Sequence, residues 1–266
     1  MKYENLILEK KNGLVKIILN RPDARNSLTL GLLQEYITAL QEVDKDDSVS
    51  VVFIKGAGKD FCAGMDLKYT LSVLEGKLEE FYELLPLGPK VEETIENLSK
   101  PVIAAVHGNA IAGGFILAYF CDLIIATEDA CMGDAHAVWG LIPGWQEPQR
   151  LARSIGIRRA KQLFLTCDVI SAKEAYEIGL VYKVYDVGKL DEAIEELGAK
   201  FLKLSKLSLY SIKKQFAWVA KTDWHTMVRI DEITREDTPW ITAGSFSNDA
   251  KERLRSFVEK RAKRGV

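Results

Sequence analysis

Cysteine is scarce and scattered in this sequence. Four occur in 266 residues (Cys62, Cys121, Cys131 and Cys167), and no two stand in the CxxC spacing of a zinc or dithiol site. They read as four buried free thiols of a reducing compartment, and no metal-binding or redox-cofactor motif accompanies them. An export signal is also missing, because MKYENLILEK carries charges where a signal peptide needs an apolar stretch; a cytoplasmic location is expected. Nor is there an excess of one charge. Lys and Arg number 36 against 38 Asp and Glu, net −2, so there is no general attraction to anionic lipid or nucleic acid and RNA binding gains no support. Residues 101–127 form the one run long and apolar enough to suggest a membrane span, but His107, Asn109, Gly113, Gly114 and Asp122 interrupt it. A buried strand, a turn and a buried helix fit that run better.

What is present is an ordinary globular composition, 47% hydrophobic and 28% charged. A chain of this length buries roughly 70–75% of its unfolded surface and needs no covalent staple. One large domain, or one with a small appendage, is expected. Residues 4–19 predict a hairpin around Asn12-Gly13. A polar loop, NRPDARNSLT (20–29), precedes an amphipathic helix, LGLLQEYITALQEV. VSVVFIKGAG (49–58) and PVIAAVHG (101–108) read as buried strands, and DLIIATEDACMGD (122–134) as a third strand with a turn. Residues 70–98 have helical period broken by PLGP (86–89), a helix is expected from Pro148, and Ser171 with Glu174 forms a capping box. From about Leu190 onward, including NDAKERLRSFVEKR (248–261), the pattern is helical. An α/β core with a helical C-terminal region follows.

Two glycine-bearing junctions follow buried strands: Ala63-Gly64-Met65-Asp66 and Ala112-Gly113-Gly114. Such loops bind ligands in open α/β sheets, and a helix starting near Gly114 would offer free N–H groups to an anion or a charged carbonyl oxygen. Close packing of helix on sheet explains the glycines equally well.

NRPDARNSL, FCAGMDLK, AAVHGNAIAGGFILAYFCDLIIAT, GLIPG followed by QRLARSIG, SAKEAYEIGLV and RLRSFVEKR occur in an order and spacing similar to the enoyl-CoA hydratase/isomerase (crotonase) family. The likeness runs from about Tyr3 to Lys263. It implies a crotonase-like spiral of ββα units over 1–190, a helical trimerisation region over 191–266, and a trimer or dimer of trimers. It also implies an acyl-CoA substrate, with coenzyme A as part of that substrate and no separate cofactor. The thioester carbonyl would sit in an oxyanion hole made by the backbone N–H groups of Met65 and Gly113. Ala24, Arg25, Ala63, Asp66, Leu67 and Lys68 would line the CoA path.

Both glutamates usual in hydratases of the family are absent, with Ile116 at the first position and His136 at the second. Candidate acid/base groups are therefore His136, Asp134 and Glu147. Asp134 orients the ring, acts itself or caps a turn, and Glu147 either acts in chemistry or caps a helix. Ile116, Trp139 and Trp145 are expected to shape the acyl pocket, although core packing explains the tryptophans equally. The run Glu79, Glu80, Glu83 reads as a solvated helix face. His107 reads as a buried, satisfied histidine, and His225 is not assigned a role. Hydration or dehydration of an unusual enoyl-CoA, double-bond isomerisation, and thioester or C–C hydrolysis all remain open. So does a catalytically silent acyl-CoA-binding or assembly role.

Overall fold

The computed structural model describes residues 3–76 and 78–222, and near the C-terminus residues 251, 252, 255, 256, 258 and 259. His225 lies outside the described residues, as does most of 248–261.

The expected hairpin is formed by β1 (Leu6–Lys11) and β2 (Leu14–Leu19), antiparallel, with Lys11 opposite Leu14. Asn12 and Gly13, at φ 49° and 82°, make the two-residue turn whose twist matches the strands. Helix α1 (Leu30–Asp44) starts where the Thr29 hydroxyl accepts the Leu32 N–H, and it buries Leu32, Leu33, Tyr36, Ile37 and Leu40 at helical spacing. Strand β3 (Val51–Gly56) follows. The stretch expected to be helical but broken is helical over α2 (Leu67–Gly76), α3 (Leu78–Leu84) and α4 (Leu87–Asn97), with a turn at residues 85–86 before the last. The PLGP segment lies at the start of the third, where prolines lack only donors that have no helical partner.

Next come β4 (Val102–Val106), β5 (Asn109–Ile111), α5 (Gly113–Phe120), β6 (Leu123–Thr127) and β7 (Cys131–Gly133). They are followed by α6 (Glu147–Ile155), α7 (Ile157–Thr166), β8 (Val169–Ser171) and α8 (Ala172–Glu177). The described part closes with β9 (Lys183–Tyr185), α9 (Leu190–Phe201) and α10 (Lys206–Thr222). Helix α6 begins at Glu147, one residue before the expected Pro148, and the Ser171/Glu174 capping box is present.

The strands form two sheets. One has the order β1-β2-β3-β4-β6-β9 and is parallel beyond the hairpin; the other is β5-β7-β8. After β4 the chain steps into the small sheet as β5, turns into α5 and returns as β6, then steps out again as β7. This is the ββα spiral, and it puts the start of α5 between the sheets.

The main core fills the inner side of the large sheet, where α1, α4 and α5 pack. On the outer face, Leu190, Ala193, Ile194 and Leu197 of α9 cover Leu14, Val51, Phe53, Ile103, Ala105 and Ile125. Asp122, which stops the apolar run, accepts the Val102 N–H and the Lys213 ammonium of α10, each at 2.7 Å. Cys62 and Cys121 are buried, but Cys131 and Cys167 are partly exposed, which corrects the expectation of four buried thiols. Cys131 is the first residue of β7, the middle strand of the small sheet, and Cys167 takes a left-handed turn after α7. Among the described residues no helix is long and apolar enough to cross a membrane.

Candidate functional site

Hydrogen bonds made by other residues bring the two glycine junctions together. Cys62 donates its N–H to Asn109 O (2.9 Å) and accepts from Ile111 N (3.0 Å), which ties the first junction to β5. Leu28 donates to Gly64 O (2.8 Å) and accepts from Asp66 N (2.9 Å). A parallel bridge of this kind uses the groups flanking Met65 and turns the Met65 N–H to the side away from Leu28. That side faces the start of α5. A Cβ built on Gly113 would lie 3.6 Å from Met65 N, and one on Gly64 would lie 3.4 Å from Gly113 N. Among the described residues neither the Met65 nor the Gly113 N–H has an acceptor. The positive end of the α5 dipole adds to the field there.

The adjacent glycines have different duties. A Cβ on Gly114 would stand 2.1 Å from Cys62 O, so Gly114 serves close packing. A Cβ on Gly113 meets only the Leu28 methyl at 2.9 Å and otherwise occupies the space between the amides. Ala112 precedes them at φ 47°, ψ −118°, a conformation costly for any residue with a side chain.

The residues expected to line the CoA path gather beside this junction. Arg25 O accepts the Ala63 N–H at 3.0 Å, and the Arg25 guanidinium pairs with Asp60 at 2.7 Å. Asp66 accepts from the Lys68 and Tyr69 N–H groups (3.1 and 3.2 Å) and from Arg21 (3.0 Å), so it caps α2 and anchors the 20–29 loop. Lys68 is exposed on that helix, and Ala24 and Leu67 are half-buried. Three loop residues not singled out from sequence hold this edge. Asn26 binds Arg21 N, Ala57 O and Asp60 O, Arg21 reaches Asp66, and buried Asp60 accepts from Arg25 and Asn109. Burial pushes the Asp60 carboxyl up, but those hydrogen bonds outweigh it and hold the group at about 2.

The Ala112 N–H donates to Gly133 O at 2.9 Å, which sets the end of β7 against the start of α5. Asp134 comes next and is 1% exposed. It accepts the His136 backbone N–H at 3.1 Å, and its other oxygen takes a short hydrogen bond from His136 Nδ1. A carboxylate only accepts, so the ring carries its proton on Nδ1 and leaves Nε2 for another partner. Glu147 Oε2 lies 3.5 Å from the same Nδ1. Glu147 is completely buried, and neither of its oxygens has a hydrogen-bond partner. Burial, reinforced by the Asp134 charge, pushes its carboxyl well above the ordinary range.

The loop that delivers Glu147 is bent by two successive left-handed residues, Trp145 (φ 52°) and Gln146 (φ 59°). The Trp145 ring rests on Gly88 of α4, where a Cβ would come within 1.9 Å of it. Ile116 is buried in α5, and Trp139 is half-buried in a short turn after His136. The Tyr119 hydroxyl, missed in sequence, is buried without a partner, and its pKa is raised by burial and then by Glu147. Arg150 pairs with Glu92 and Glu96. Where no metal set was expected, Asp134, His136 and Glu147 bring one ligand atom each within 4.8 Å of one another.

A separate cavity of about 720 Å³ opens at the strand ends, lined by Lys55, Gly58, His107, Thr127 and Asp191 among others. His107 Nε2 donates to Gly58 O at 3.1 Å, but its buried Nδ1 has no partner, so this histidine is only half satisfied.

The enoyl-CoA hydratase/isomerase family profile matches residues 9–264. A crotonyl-CoA hydratase of Syntrophomonas wolfei subsp. wolfei is 37% identical over 264 residues, covering 98% of this chain and 97% of that protein. A short-chain-enoyl-CoA hydratase of Clostridium acetobutylicum is 33% identical, covering 98% and 97%. The solved enoyl-CoA hydratase of Bacillus anthracis superposes with a TM-score of 0.76 at 34% identity, covering 97% of each chain. With this ββα spiral and these paired junctions, the chain belongs to the enoyl-CoA hydratase/isomerase family.

Proposed function

We propose that this protein processes an acyl-CoA by gripping the thioester carbonyl between the Met65 and Gly113 amides, and that it adds or removes water or shifts a double bond in the acyl group. The observation that carries this reading is the approach of two main-chain donors that have no acceptor of their own. Negative charge on the carbonyl oxygen rises as an enolate forms, and each such donor stabilises that state by about 3 kcal/mol. Ala24, Arg25, Ala63, Asp66, Leu67 and Lys68 border the path of the CoA moiety, and Ile116, Trp139 and Trp145 shape the acyl side.

Protons are handled by the Asp134, His136 and Glu147 group. Asp134 holds the ring by Nδ1, which turns Nε2 to the substrate as the acid/base atom. Glu147, whose carboxyl is pushed well above the ordinary range by burial and by Asp134, is the second carboxyl group available for the neighbouring carbon. Assembly as a trimer or dimer of trimers belongs to the same proposal.

Incubation with aliphatic, alicyclic and aromatic acyl-CoAs, followed by mass spectrometry and ultraviolet absorption, tests it. Gain or loss of one water, or an absorbance change at constant mass, is the expected result. Release of free CoA would instead indicate thioester hydrolysis, and no change with any thioester would indicate a binding protein.

A further inference from the structure

We infer that Asp134, His136 and Glu147 form a binding site for one divalent first-row transition ion. The starting point is Glu147, completely buried and with both oxygens lacking hydrogen-bond partners. Buried polar atoms are nearly always satisfied, and an unsatisfied carboxylate points to a missing occupant. Asp134, also buried, directs a second carboxylate to the same point, and no Lys or Arg pairs with either group among the described residues. Arg150, from the next turn of α6, is engaged by Glu92 and Glu96. In the occupied site both carboxyl groups are ionised and the imidazole is neutral, and one dication cancels their charge and offsets the cost of burying them.

The geometry agrees. His136 Nδ1 and Glu147 Oε2 are 3.5 Å apart. Neighbouring ligands on an ion with bonds of about 2.1 Å stand roughly 3.0–3.5 Å apart. Asp134 and His136 stand closer, sharing a proton, so an entering ion displaces that proton and separates the pair by a fraction of an ångström. One imidazole and two carboxylates, with no thiolate, suit zinc, ferrous or manganous ions better than cuprous ion. Three protein ligands also leave positions open for water. The site depends on side chains that this chain carries at positions 134, 136 and 147, and its test does not require that any acyl-CoA be turned over.

The full-length protein, stripped with chelator and dialysed, is titrated with cobalt(II) chloride while the visible spectrum is recorded, and with zinc chloride in a calorimeter. One ion per chain, with cobalt bands of nitrogen and oxygen ligation, is expected. Glu147→Gln and Asp134→Asn, checked for folding by circular dichroism, should each weaken binding by about 100-fold or more. No saturable binding to the wild type overturns the inference, even if neither variant folds. So do thiolate charge-transfer bands, which would place the ion on a cysteine, and affinities that both variants leave unchanged.

Discussion

Met65 and Gly113 meet because Leu28, Cys62 and Ala112 hold their neighbours by main-chain hydrogen bonds, whereas Asp134, His136 and Glu147 meet through side chains, with Asp134 and Glu147 buried and the His136 ring hydrogen-bonded to Asp134. The first pair needs almost nothing from its own side chains. It follows from the step between the two sheets and from the glycine at 113. The second group depends on three particular residues and on the left-handed bend at Trp145 and Gln146 that carries Glu147 inward. On the proposed reading, polarising the carbonyl is thus a property of the fold, and moving protons is a property of this chain.

The comparison breaks most sharply at the side-chain half. His136→Ala should lower kcat by about 10²–10⁴-fold while thioester binding persists, read by steady-state kinetics and calorimetry on the best substrate of the panel. Unchanged turnover would move the acid/base role to Glu147 or Asp134.

At the backbone half, the paired glycines give a contrast within two residues. Gly113→Ala places a methyl 3.6 Å from Met65 N and should cost about 10²–10³-fold in kcat with little loss of stability. Gly114→Ala drives a methyl to within 2.1 Å of Cys62 O, so its main effect should be on folding, a loss of about 1–3 kcal/mol seen in thermal melts. Equal effects at both sites would erase the distinction drawn between them.

The edge loop supplies a pH signature. The folded Asp60 carboxyl, at about 2, lies below the unfolded value of about 3.9. Its contribution, about 2 kcal/mol, is therefore complete above pH 4 and fades as pH falls through 2. Asp60→Asn should lower stability by a similar amount at neutral pH and flatten that part of the acid-denaturation curve. A smaller effect is expected at Ala112, held at positive φ: Ala112→Gly should stabilise the fold by about 1 kcal/mol, raising Tm by roughly 2–4 °C.

Much of the frame was legible in the sequence, because local chemistry specifies it. Asn12-Gly13 demands a hairpin turn, Ser171 and Glu174 cap each other, and β3, β4 and β6 are apolar runs that only a sheet covered on both faces can bury. The small sheet was not legible, since β5, β7 and β8 have three residues each, too few to show a period. The turn between α3 and α4 was legible, since Pro86 of the PLGP segment lies in it. At the site, the motif resemblance pointed to Met65 and Gly113, but it could not say that Gly114 is there for packing. The His136 position was readable, while the burial of Glu147 beside it depends on two residues adopting a backbone conformation that their side chains oppose. Asn26 and Asp60 went unnoticed because a polar loop looks solvated until its hydrogen bonds are traced.

The direct test of the central claim is the vibrational spectrum of a bound thioester whose carbonyl carbon is isotopically labelled, taken as a difference between labelled and unlabelled complexes. Two converging amide donors should shift the carbonyl stretch to lower frequency than in water, and Gly113→Ala should reverse most of that shift. A bound carbonyl that vibrates as it does in solution would contradict the account.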